Sequence, residues 1–219
     1  MSWRRFLIWA LFGVLAAACG QVSEPAADDT TATAVATTVA PATTTTVVTT
    51  TTPPTTTAAV DWGAILATWQ VSLRSVGPYT IGMSLDEAAA AGGAELVEVE
   101  DADPSCSYYT HDPSTGLDRE LRFMVRADRV VRIDIDGTQL KTLSGLGNGD
   151  TKAALVSTYG DGVIVSASLS GEANEQYVTY IPFDEADADY RLRFETTDDI
   201  VTSFRIGRLP EVEWVDRCD

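Results

Sequence analysis

The sequence predicts an α+β domain. It is read as two tandem units, each a short helix followed by three strands, forming one antiparallel sheet with the helices packed on one face. Three observations predict it. A hairpin is written twice: RELRFMVRADRVVRIDID, residues 119–136, recurs as YRLRFETTDDIVTSFRIG, residues 190–207, at an offset of 71, so that Leu121 falls on Leu192, Phe123 on Phe194, Val130 on Val201, Ile133 on Phe204 and Ile135 on Ile206. A helix-like segment is also written twice: GMSLDEAAAAGG, residues 82–93, recurs as GDTKAALVSTYG, residues 149–160. Finally, apolar and polar residues alternate with the period of a half-buried strand. The units run over about 76–137 and 146–208, with a C-terminal tail to residue 219.

The chain opens with an address. Arg4 and Arg5 precede a thirteen-residue apolar run, Phe6 to Ala18. Such a run is shorter than the ~20 residues a membrane-spanning helix needs and suits the core of a signal peptide, here residues 1–18. The strongly apolar run favours the general secretory route over a twin-arginine signal. Residues 19–60 follow as a tether. Residues 30–57 carry 16 threonines, three prolines and no charge. That composition buries too little apolar surface to offset the entropy of ordering. A flexible chain of this length spans roughly 35 Å.

Residues 61–219 are long enough for one domain. Caps set the helices. Ser84 and Glu87 form a capping box, and Thr151 stands at the equivalent N-cap. Gly92 or Gly93 and Gly160 supply their ends. Alternation sets the strands. Leu121, Phe123 and Val125 point to a core face and Arg122, Met124 and Arg126 to a solvated one. Val131, Ile133 and Ile135 alternate with Arg132, Asp134 and Asp136, and Ile200, Thr202, Phe204 and Ile206 follow the same rule. The acidic runs Val97–Asp103 and Phe183–Tyr190 read as solvated loops.

Two resemblances then become nameable. LAAAC, Leu15 to Cys19, resembles the lipobox of bacterial lipoproteins, with Ala16 where the usual leucine stands. It implies lipidation of Cys19; the alternatives are ordinary cleavage after Ala18 and an uncleaved anchor. Ile81-Gly82-Met83-Ser84, the Cys106-Ser107-Tyr108-Tyr109 segment, the terminal hairpin, its second copy and the late Cys218 resemble tandem units of the β-lactamase-inhibitor-protein/BamE-like fold. That resemblance implies a binding sheet and no catalytic residue.

The folded part has 29 acidic against 13 basic side chains, a net of −16. This argues against nucleic acid, whose phosphates need basic patches. Cys106 and Cys218 are an even pair in an exported chain and read as a disulfide. His111, beside Asp112 and Ser114, reads as part of a polar turn. No metal or cofactor is expected from these patterns. Tyr108, Arg122, Arg132, Tyr177 and Arg193 are the candidate partner-binding residues, because tyrosine and arginine on an open sheet face make interface anchors. The expected function is a protein-binding domain lipid-anchored outside the cytoplasm, with an envelope or secreted protein as its expected partner. The alternative is a ligand or metal sensor with its site between the two units.

Overall fold

The computed structural model describes residues 59–103, 105–215 and Cys218. The signal segment, Cys19 and nearly all of the tether lie outside the described residues. The described chain begins with a one-turn helix α1 (Trp62–Leu66) and a two-stranded hairpin, β1 (Ser75–Val76) and β2 (Tyr79–Thr80). Helix α2 (Leu85–Gly92) leads into β3 (Leu96–Asp103), β4 (Cys106–His111), β5 (Leu121–Arg126) and β6 (Arg129–Ile135). Helix α3 (Lys152–Tyr159) leads into β7 (Val163–Ala167), β8 (Glu175–Tyr180), β9 (Tyr190–Thr197) and β10 (Ile200–Arg208). The eight strands β3–β10 make one antiparallel sheet, ordered β3-β4-β5-β6-β10-β9-β8-β7.

Each helix is thus followed by four strands, not three. The overlooked strands, β3 and β7, are the two edges of the sheet. An edge strand is paired on one side only, so its side chains need not be apolar. In β3 the Val-Glu alternation was present, but the acids made it resemble a loop.

The caps form as their residues dictate. Ser84 accepts from Glu87 N–H at 3.1 Å, and Glu87 accepts from Ser84 N–H at 2.8 Å. Thr151 accepts from Ala154 N–H at 3.1 Å. Gly93 ends α2 at φ 66°, where a side chain would be strained. The hairpins β5–β6 and β9–β10 turn through two residues each, Ala127-Asp128 and Asp198-Asp199, all with positive φ. That is the geometry whose twist matches the flanking strands.

Both faces of the sheet are covered. Ala88 of α2 and Leu155 of α3 join Leu121, Phe123, Ile133, Ile135, Phe194, Phe204 and Ile206 in the main core. One part of the alternation departs from expectation. The register slips at Val131 and again at Thr202, each an extra residue in its strand. A bulge reverses which face the preceding residues meet. Val130 and Val201 therefore enter the core. Val131 packs on the opposite face, against Tyr108 and Met124, while Thr202 and Ile200 are exposed.

Candidate functional site

The face opposite the helices carries the sequence's candidate residues, and it is not open. After β10 the chain turns back at Leu209-Pro210 and forms a short 3-10 turn, Glu211–Glu213, which lies across the sheet with Trp214. Cys218 is joined to Cys106 on β4, across a sequence separation of 112 residues. Tyr108, Arg132, Tyr177 and Arg193 are buried, and Arg122 is half-buried. The expectation of a solvated arginine-tyrosine face is corrected here. Strand parity pointed these side chains the expected way, but the tail covers Tyr108, Arg132 and Arg193, and Arg193 in turn lies over the Tyr177 ring.

The tail is held by arginines bonding to its backbone carbonyls. Arg132 Nη1 donates to Glu211 O at 3.1 Å and to Trp214 O at 3.0 Å. Arg205 Nε donates to Val212 O at 2.8 Å, and Arg193 Nη1 to Glu213 O at 3.0 Å. Arg126 adds an ion pair to Glu211 at 2.6 Å and lies 5.0 Å from the Trp214 ring centroid. Arg132 also chelates Asp134, at 2.9 and 3.1 Å, and Asp134 accepts from Tyr108 O–H at 3.1 Å. Arg122 pairs with Asp136 beside this cluster.

Two of the buried arginines, Arg132 and Arg193, differ in their electrostatics. Burial is the largest influence on Arg132 and opposes its charge, but Asp134, Tyr108 and Glu195 together hold the guanidinium above its ordinary value. Burial lowers Arg193 and the neighbouring Arg205 lowers it further. Arg193 stacks 3.8 Å from the Tyr177 ring centroid, and its Nε has no hydrogen-bond partner. Arg205, Glu211 and Trp214 are the participants that sequence reasoning missed. The signal available was the disulfide, which already brought the tail to β4.

His111 is the second departure. It ends β4 inside the core, wholly buried, with Nε2 2.5 Å from Tyr79 Oη and its ring against Phe123. Burial lowers its pKa to about 4, with Asp118 opposing weakly. Asp112 accepts from Ser114 N–H at 2.8 Å. This makes a backbone turn beside His111 and not a catalytic triad.

The acidic segment before β9 is partly neutralised: Asp187 pairs with Arg74, and Asp189 with Arg208 at 3.5 Å. Among the described residues, no group of three or more His, Cys, Asp or Glu side chains could hold a metal ion. An open cleft of about 170 Å³ lies between the Val71–Leu73 and Thr142–Ser144 segments and Tyr159, Tyr180 and Leu192. It is smaller than the ~300 Å³ at which ligand pockets usually begin. The uncovered large apolar side chains gather elsewhere. Ile164 and Val165 on β7 are 56% and 43% exposed, Leu169 just beyond is 73% exposed, and Phe183 is 78% exposed. Phe183 belongs to the same edge, because its ring lies beside Gly162 at the start of β7.

No family model and no curated protein matches the chain. One similar solved structure is the crystal structure of the uncharacterized protein yfeY from Escherichia coli. It is 16% identical with a TM-score of 0.42, over 64% of this chain and 99% of that one.

Proposed function

We propose that the chain is a cell-envelope lipoprotein, anchored through Cys19, that presents residues 61–219 outside the cytoplasm as a protein-binding domain. The observation that carries the binding reading is the row of exposed apolar side chains along one sheet edge, Ile164, Val165, Leu169 and Phe183. Exposed apolar side chains gathered along an edge are a mark of interaction surfaces. The cleft at Val71–Leu73 and Thr142–Ser144 is lined by no residue of the first unit and is too small to favour a small-molecule sensor between the units.

The domain is, on this reading, a tandem pair of the β-lactamase-inhibitor-protein/BamE-like unit, each half having an extra edge strand. Several correspondences support the duplication. The strand order reads the same from either edge inward to the central pair. Pairs Phe204↔Ile135 and Ile206↔Ile133 interchange under the 71-residue offset, as a local two-fold axis between β6 and β10 requires. The bulges at Val131 and Thr202 and the positive-φ turns share that offset.

Photo-reactive residues placed singly over the domain surface of the anchored chain test the binding reading. A discrete adduct from position 169 or 183 is expected. Absence of adducts from every surface position would end it. Incorporation of labelled palmitate, lost in Cys19→Ser, tests the anchor; equal labelling of the variant would exclude it.

A further inference from the structure

The two edges of the sheet are built differently. Strand β3 reads LVEVEDAD, with four acids in eight residues, whereas β7 reads VIVSA, with none. Charge on an edge strand blocks pairing with another chain, and an uncharged apolar edge invites it. Strand β7 pairs with β8 on one side and with no other described strand.

Its free backbone groups can be assigned. Ile181 N–H donates to Gly162 O, and Ser168 N–H donates to Glu175 O. In the antiparallel register these bonds place residues 162, 164, 166 and 168 in hydrogen-bonded pairs with β8. The N–H and C=O groups of Val165 and Ala167 and the C=O of Val163 therefore point outward, while Val163 N–H is already bonded to Gly160 O. An added strand would find a short row of unmet donors and acceptors, flanked by exposed Ile164, Leu169 and Phe183.

The surroundings select the strand. From Ala153 to Tyr190 the chain has no lysine or arginine and seven acids. Asp187 and Asp189 have arginine partners, but Asp161, Glu172, Glu175, Asp184 and Glu185 have no ion-pair partner among the described residues. Asp161 lies just before β7, and Glu172 and Glu175 lie in the loop and strand just after it. A second copy of this chain would bring the same acids against one another. An apolar strand with basic flanks would meet apolar side chains along its middle and carboxylates near its ends.

Resting on the protein-binding reading above, we infer that β7 accepts an extended apolar peptide with Lys or Arg flanks, added edge-on as a ninth strand. Backbone pairing supplies the attachment, and the acidic rim supplies the selection.

The experiment uses the full-length chain in detergent micelles and two labelled peptides, Lys-Lys-Val-Thr-Val-Thr-Val-Lys-Lys and its Glu-flanked counterpart. The Lys-flanked peptide is expected to bind about tenfold or more tightly than the other. It should slow amide exchange at Val165 and Ala167. Val165→Pro removes an outward N–H without breaking a β7–β8 bond, a position where edge strands tolerate proline. It should weaken binding by about tenfold or more. Should circular dichroism show that variant unfolded, Ile164→Lys replaces it and should weaken the Lys-flanked peptide by charge. Equal binding of the two peptides, binding indifferent to the folded variants, or unslowed edge amides would overturn the inference. So would a concentration-dependent dimer whose edge amides are protected without peptide, which would make the occupant a second copy. If the peptides fail while a surface cross-link still captures a protein, this inference falls and the binding reading stands. If both fail, both fall.

Discussion

His111 is the chain's single histidine, so its titration can be followed without ambiguity. An exposed histidine protonates near 6.5, but in the folded chain burial lowers His111 to about 4. Its surroundings are Tyr79 and Phe123, its Nδ1 has no hydrogen-bond partner, and the nearest charge felt is that of Asp118. The unfolded chain therefore takes up a proton that the folded chain refuses over the interval between about 4 and 6.5. The stability contribution of the neutral ring is fully present above about pH 7. It falls as pH drops through 6.5 towards 4, and levels off below. At about 1.4 kcal/mol per pH unit, the whole interval corresponds to ~3 kcal/mol, of which roughly 2 kcal/mol is lost between pH 7 and pH 4.5. The ring Cε1 proton, followed by NMR, should show a midpoint near 4. Urea unfolding of His111→Phe should lack that roughly 2 kcal/mol of the pH dependence seen in the parent chain. A midpoint at or above 6.5 would refute the reasoning, because a ring wholly removed from water cannot titrate as an exposed one.

Phe123→Ala and Phe194→Ala should each lower the free energy of urea unfolding by about 3–5 kcal/mol, since both rings are fully buried. Arg132→Ala should cost about 3–5 kcal/mol in the same assay because it strands the buried Asp134 carboxylate, whereas Arg122→Ala, from a half-exposed pair with Asp136, should cost under about 1 kcal/mol. Cys218→Ser opens a loop of 112 residues and should cost up to about 4–5 kcal/mol, read as a lower thermal midpoint that reductant no longer moves.

The central hairpins were legible in the sequence because four conditions agreed there: alternation, turn, length and duplication. Leu121–Arg126 and Tyr190–Thr197 form strands whose phenylalanines enter the core as the pattern required. The capping box at Ser84 and the Cys106–Cys218 pair were equally readable, since each is a local or parity rule. What failed depended on tertiary placement. A bulge is one residue of slip, and nothing local in VVRID separates Val130 from Val131 as the core residue. Strand β3 was hidden by its acids, which an edge tolerates and a central strand would not. His111 followed a strand by one residue of uncertainty, and its neighbours Asp112, Pro113 and Ser114 do form a turn. The candidate face was right in parity and wrong in exposure, since strand alternation says which way a side chain points and never what lies above it.

The tail's attachment bears on where function can lie. Arginines bonded to backbone carbonyls read position and not sequence, so their geometry fixes the register of the segment they hold. Arg132 spans the turn from Glu211 O to Trp214 O while Arg205 and Arg193 take the carbonyls between them. A slip of one residue would leave guanidinium groups buried without acceptors, at a cost of about 1–3 kcal/mol each or more. Arg193, lacking a carboxylate, has the most to lose. Lifting the tail would therefore break several charge-assisted bonds together, and the disulfide keeps its far end beside β4 even then. A segment so held behaves as part of the core. The arginine face is then an internal surface in the oxidised chain, and on the binding reading proposed above the two sheet edges, the acidic β3 and the uncharged β7, are among the surfaces left outside. The second offers unmet backbone groups with more exposed apolar area and no charge, whereas β3 exposes Val99 among four acids.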